Sequence, residues 1–254
     1  MNHLKNNVFC STAEILIDDG FKGLDASLGA VFYSIQLSKF RAVLPKLKRY
    51  LNTEENKRSE RYYHTKDKER FIICRALLKY CICRHTGQDI STVILKKDAN
   101  KKPYLLNYNS LYFNVTHAGD FALIAIACSP VGIDIERLDT NFDYNEIVKN
   151  VCNKQELDAL ERSENVKHTF YKLWTRKEAI VKATGLGITD DFTDIPSLDG
   201  YHLMPENLLG QLSNIHVISF QFNTTYKGAI ALSQKHQSIK TIIFNNLFLK
   251  VEEF

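Results

Sequence analysis

Asp134 and Glu136 stand two residues apart in the stretch VGIDIERLD, residues 131–139, where Val131, Ile133 and Ile135 alternate with Gly132 and the two acids. Such alternation marks a half-buried strand whose successive side chains point to opposite faces. Both carboxylates then share one face, where like charges repel and loss of water is costly. A third acid, Glu178, falls in FYKLWTRKEAIVKATGLGI, residues 170–188. At 100° per residue Phe170, Trp174 and Val181 make an apolar helical stripe. Glu178 borders that stripe, four residues after Trp174 and four before Lys182. Two readings are open. Glu178 and Lys182 can form an i, i+4 surface pair worth roughly 0.2–0.5 kcal/mol, with Asp134 and Glu136 solvated on an exposed sheet face. Alternatively, the three acids converge on a hard divalent cation such as Mg²⁺, which takes oxygen ligands, often completes its shell with phosphate oxygens, and cancels the repulsion.

A strand and a helix that carry these acids need neighbours to hold them. The patterning predicts a strand over 29–37, a mostly exposed helical region over 45–64, and a long amphipathic helix over 67–84. That helix has a stripe of Phe71, Cys74, Leu78 and Ile82 and ends at Thr86-Gly87. Strands are expected over 92–95, 111–115 and 121–128, and again from Val131. Helices follow over 153–163 and 166–184, the second stopped by Gly185 and Gly187. Strands over 215–222, 228–233 and 239–244 complete the reading. Both long helices end in Thr-Gly, and the strings AIACS (125–129) and AIALS (229–233) follow them at similar offsets. The pattern points to a duplicated α+β fold with a pseudo-two-fold repeat. Its halves, 1–130 and 131–254, are each a small, mostly antiparallel sheet packed on a long helix. The active site would lie in the cleft between them, a favoured place for ligands.

With 44% hydrophobic and 24% charged residues, the 254-residue chain reads as globular and not disordered. A formal net charge of +4 suits an acidic partner or a phosphorylated ligand but is mild for a nucleic-acid binder. No charged-then-apolar leader opens the chain, and no apolar run reaches membrane-spanning length. Six cysteines without a C-x-x-C pair read as reduced structural thiols, not disulfides or zinc ligands. A cytoplasmic protein with no nucleic-acid or membrane partner is therefore expected.

The motifs, taken in order, resemble those of the 4′-phosphopantetheinyl transferases of the two-half, monomeric surfactin-synthetase type. Gly132–Glu136 resembles G-I-D-I-E, and Trp174–Ala179 with Lys182 resembles W-T-x-K-E-A-x-x-K. Lys102-Pro103 is similar to the end of G-K-P, and FNVTHAG at 113–119 to F-N-x-S-H-S. Arg70-Phe71 with Arg75-Ala76-Leu77-Leu78 is similar to the family's R-A-L-L-R helix. The likeness runs from about residue 51 to 233.

The resemblance implies transfer of the phosphopantetheine arm of coenzyme A to a serine of an acyl, peptidyl or aryl carrier protein, releasing 3′,5′-ADP. It implies that Asp134, Glu136 and Glu178 hold Mg²⁺ or Mn²⁺, and that Lys182 neutralises the leaving diphosphate. Either Glu178 or a metal-bound water takes the serine proton. His117, with Thr116 where serine is commoner, matches a pyrophosphate-binding position, and Lys102 and Pro103 match the adenine pocket with the lysine near phosphate. In this reading residues 1–130 bring the basic and histidine elements and 131–254 the acids and the catalytic helix. The chain departs from the pattern where a lysine of the 3′-phosphate cluster is expected. Glu55 stands there, leaving Lys57, Arg58 and Arg61, with Arg70 and Arg75, as candidates. Position 71 is Phe where a small hydroxyl residue can occur, and Lys101 replaces the G of G-K-P. Rival readings are a coenzyme A or carrier-binding module without catalysis, and a metal-dependent phosphodiesterase.

Overall fold

The computed structural model describes residues 7–247 except 21–27, 107, 109, 140, 142, 144, 188–189, 211 and 235–237. Strands β1 (Asn7–Thr12) and β2 (Glu14–Asp18), which the patterning did not predict, precede the expected β3 (Ala30–Gln36). The polar region after it forms two short helices, α1 (Leu44–Lys48) and α2 (Thr53–Ser59), not one exposed run. The second begins at Asn52, whose side chain accepts from the Glu55 amide while the Glu55 carboxylate takes the Asn52 N–H. Helix α3 (Thr65–Thr86) ends at Gly87, whose φ of 70° is the left-handed conformation that closes a helix. The strand expected at 92–95 starts later, as β4 (Leu95–Lys97), because Asp89 accepts from the Ser91 amide and winds residues 90–92 into a 3₁₀ turn.

A short β5 (Pro103–Leu105) pairs with β4, and the hairpin β6 (Tyr112–Ala118) and β7 (Phe121–Ala127) leads to β8 (Val131–Arg137). Helices α4 (Asn145–Val151), α5 (Lys154–Glu161) and α6 (Val166–Thr184) follow, then β9 (Gly200–Leu203) and α7 (Glu206–Leu209). Strands β10 (Asn214–Phe222), β11 (Tyr226–Leu232) and β12 (Thr241–Asn246) complete the described chain. Among the described residues no helix is long and apolar enough to cross a membrane. The six cysteines are not bonded to one another.

The fold is α+β, with one five-stranded sheet ordered β2-β12-β3-β7-β6 and another ordered β8-β11-β10-β1-β9. Each contains the same run of strand, long helix and hairpin: β3-α3-β6-β7 in one and β8-α6-β10-β11 in the other. In both, the first strand pairs antiparallel with the last. The chain ends cross over. Strand β1 runs parallel to β10, while β12 runs parallel to both β2 and β3, so both sheets are mixed.

Alternate residues of each sheet look in opposite directions, which gives four layers. Val31, Tyr33 and Ile35 of β3 pack with Ile72, Ala76 and Leu77 of α3. Phe32, Leu123 and Phe244 of one sheet meet Ile133, Ile218 and Phe220 of the other. On the far side, Val217, Ala229 and Ala231 pack with Ala179, Ile180 and Ala183 of α6.

Strand β8 is therefore covered on both faces, not half-buried as the alternation suggested. Ile133 and Ile135 join the layer between the sheets, and Asp134, on the opposite side, is only 3% exposed. Gly132 lies on the Asp134 side. A Cβ built there would stand 2.0 Å from the Ala179 carbonyl oxygen and 2.5 Å from the Ala183 amide of α6. The glycine is needed for close approach and not for an unusual φ. Gly132→Ala should push α6 outward and cost about 1–3 kcal/mol or more, read as a lowered denaturation midpoint against wild type. An unchanged midpoint would mean that the helix can shift without loss.

Candidate active site

The close approach of α6 to β8 puts Lys182 over Asp134. Its ammonium donates to Asp134 Oδ1 at 2.6 Å and to Thr116 Oγ1 at 3.3 Å, and the threonine hydroxyl donates to the same carboxylate oxygen at 3.1 Å. Thr116 reaches the pair because β6 lies against β8, where the Ile133 amide donates to Asn114 Oδ1 at 2.9 Å. The i, i+4 spacing suggested that Lys182 pairs with Glu178. It pairs instead across the strand, with Asp134.

Glu136, two residues on, accepts from the Trp174 indole N–H at 3.3 Å. The sequence placed Trp174 in the apolar stripe and at the head of the W-T-x-K-E-A-like motif, without this bond to Glu136. Burial first, then the Asp134 charge, pushes the Glu136 carboxyl up to about 7, with Glu178 adding to the rise. Glu178 is also raised, by burial first and with Asp134 contributing, while Lys182 opposes the shift.

Three acids thus share one field, with one ammonium among them. Asp134 Oδ2 is buried and has no hydrogen-bond partner among the described residues. An orphaned anionic oxygen beside two carboxylates that resist ionisation is a set that fits a hard cation. Among the described residues, however, no group of three or more His, Cys, Asp or Glu side chains is arranged so that it could hold a metal ion as the side chains stand.

A second concentration of charge adjoins the first. A pocket of about 180 Å³ is lined by Arg58 of α2, by Asp67, Arg70, Phe71 and Arg75 of α3, by Pro103 of β5 and by His117 of β6. The cationic field reaches Lys97, whose ammonium is lowered first by Arg58, then by burial, with Arg75 and Lys101 also contributing. The His117 imidazole is lowered by loss of surrounding water, then by Arg70 and, more weakly, Lys182. It therefore feels both clusters.

Not every candidate sits in this pocket. Lys57 pairs with exposed Glu54, and Arg61 does not line the pocket. Glu55, the apparent substitute for a lysine, is buried and faces Arg75 at 3.6 Å and Lys79 at 3.3 Å. Lys102 donates to the Ala183 carbonyl at the end of α6, at 2.8 Å, and burial lowers its pKa to about 8. Lys102 and Pro103 also line a larger, mostly apolar cavity of about 530 Å³. Pro103 is common to both hollows.

Comparison with known proteins gives one answer along the chain. A family profile described as "4′-phosphopantetheinyl transferase, N-terminal" matches residues 39–129, and one described as "4′-phosphopantetheinyl transferase superfamily" matches 130–239. The protein slr0495 of Synechocystis sp., assigned the name 4′-phosphopantetheinyl transferase, is 31% identical over 175 residues, covering 66% of this chain and 71% of the relative. The 4′-phosphopantetheinyl transferase Sfp of Bacillus subtilis is 27% identical over 186 residues, covering 71% and 81%. HetI of Nostoc sp., of the same name, is 29% identical over 162 residues, covering 61% and 68%.

The raised Glu136 carboxyl has a consequence for the protein in chelator. Between about pH 4.5 and 7 the folded state holds a proton that the unfolded state has lost, so stability falls as pH rises through that window. Glu136→Gln retains an acceptor for Trp174 but cannot ionise, so it should escape this part of the fall. Thermal melts in chelator at pH 5 and pH 8 should show the variant gaining on wild type as pH rises. A constant difference would place Glu136 in ordinary solvent.

Proposed function

Because the chain belongs to the 4′-phosphopantetheinyl transferase superfamily and is an enzyme of that type, we propose that it moves the phosphopantetheine arm of coenzyme A to a serine hydroxyl of a carrier protein. The observation that carries the proposal is the Asp134–Lys182 pair, flanked by Glu136 and Glu178 and set beside an arginine pocket. A diphosphate with a separate phosphomonoester matches two adjoining charge centres of this kind.

In this reading Arg58 and Arg75, with Arg70, face the 3′-phosphate. His117 and Thr116 face the diphosphate, and Pro103 packs against adenine. Lys102 supports the same wall through its bond to α6. Asp134, Glu136 and Glu178 are the residues that would hold Mg²⁺ or Mn²⁺, which would offset diphosphate charge. The serine oxygen forms a bond to the β-phosphorus as the bond to the bridging oxygen breaks, and 3′,5′-ADP leaves with the electron pair. Glu178, with its raised affinity for a proton, can accept the one lost by serine. Lys182 meets the charge that grows on the bridging oxygen as the 5′-phosphate of 3′,5′-ADP leaves. The two matched segments meet between residues 129 and 130, and the repeated strand–helix–hairpin order supports two related halves with the site between them. Unpaired thiols in all six cysteines suit a reducing cytoplasm.

Intact mass of a carrier protein incubated with coenzyme A and Mg²⁺ tests the reaction, and an unmodified carrier across fatty-acid, polyketide and peptide types would refute it. Glu178→Gln should lower transfer at least about a hundredfold. Wild-type turnover in that variant would remove Glu178 from the catalytic set. Lys182→Ala should depress kcat more than it raises KM, since the lysine acts on charge that develops as the bond breaks. A change confined to KM would assign it to ground-state binding.

A further inference from the structure

The arginine pocket poses a charge problem of its own. Arg70 is tied to Asp67 at 2.7 Å, and Arg75 shares the buried Glu55 with Lys79. Arg58 makes no ion pair among the described residues. It comes from α2, while Arg75 comes from α3, so no common backbone fixes the two guanidinium groups relative to each other. Both nevertheless lie over one aromatic ring. The Arg58 guanidinium carbon is 4.8 Å from the Phe71 centroid, and that of Arg75 is 5.6 Å away. The negative face of an aromatic ring attracts cations at such distances. Phe71 is half-buried in the pocket wall and offers no hydrogen bond to an anion, so its effect on a phosphate passes through the arginines it holds.

We propose that Phe71 is a specificity-determining positioning residue, whose ring face holds Arg58 and Arg75 where together they grip a phosphomonoester. This rests on the reading of the pocket as the seat of the 3′-phosphate. A ring between two helices keeps two like-charged groups in place without supplying a carboxylate that would compete with phosphate for them. Glu55 fixes Arg75 from the buried side, at 3.6 Å, and Arg58 is held by the ring with no carboxylate paired to it among the described residues.

The nucleotides 3′,5′-ADP and 5′-AMP differ only in the 3′-phosphate, and calorimetric titration of each isolates the seat from the chemistry. Wild type should prefer 3′,5′-ADP. Phe71→Leu keeps apolar bulk and removes the π face, so it should reduce that preference about three- to tenfold and leave 5′-AMP affinity within about twofold. Phe71→Met serves the same purpose should the leucine variant fail to fold, and Phe71→Tyr, which restores a ring face, should retain the preference. An unchanged preference in the leucine or methionine variant would overturn the proposal. So would equal weakening of both nucleotides, or loss of the preference in Phe71→Tyr. Absence of any preference in wild type would instead show that the pocket is not a phosphomonoester seat, which is a failure of the earlier reading.

Discussion

The distance between α6 and β8 is the constraint on which the rest of the site depends. A lysine from one meets an aspartate from the other at 2.6 Å where the helix lies close on the strand backbone. Gly132 permits this by leaving open the space that a side chain would fill against Ala179 and Ala183. The same contact brings Glu178 into the field of Asp134 and Trp174 within reach of Glu136. One small residue thus sets the geometry of two neighbouring acids on β8 and of a third, Glu178, far along the chain on α6.

That geometry concentrates charge of both signs. On one side carboxyls hold their protons more tightly than usual, and on the other cations hold theirs less tightly. Neither condition favours the folded protein by itself, because each group resists the charge it must carry. A ligand with phosphate groups on both sides would relieve the arginines and bring opposite charge to Lys182. His117 responds to Arg70 and to Lys182, and so marks where the two fields meet.

Much of the frame was legible in the sequence. The two long helices ended at Gly87 and Gly185, where left-handed closure stops them, and β3, β7, β8 and β10 fell close to the strands expected. The Ala/Ile strings at 125 and 229 lie on β7 and β11, which hold equivalent places in the two sheets. Strands β1 and β2 escaped notice because their partners come from the other end of the chain, and short-range patterning carries no record of a parallel pairing between Cys10 and Val217. Helical spacing likewise favoured a Glu178–Lys182 pair, since a strand passing under the helix cannot be seen from the helix alone. Glu55 looked like a lost cation for a similar reason. Its role as a cap and as a counter-charge to Arg75 and Lys79 exists only after α2 has packed on α3.

The two residues that precede Glu178 show how its direction is fixed. Arg176 is fully buried and donates to Ser219 Oγ at 2.6 Å, to the Ser197 and Ser11 carbonyls at 2.7 and 2.9 Å, and to Asp199 at 2.6 Å. Lys177 is also fully buried, paired with Glu156 at 2.9 Å and donating to the Ile195 carbonyl at 2.6 Å. Glu156 in turn receives the Ser197 hydroxyl and amide. Buried ion pairs contribute little net stability, because desolvation offsets their attraction, but breaking one by removing a partner is costly. Their effect is directional: a turn of α6 about its axis would strand two cations without partners. Successive helical residues point about 100° apart, so fixing Arg176 and Lys177 also fixes where Glu178 points. It fixes Lys182 one turn further on by the same geometry, toward β8 and the carboxylate that Gly132 allows it to reach.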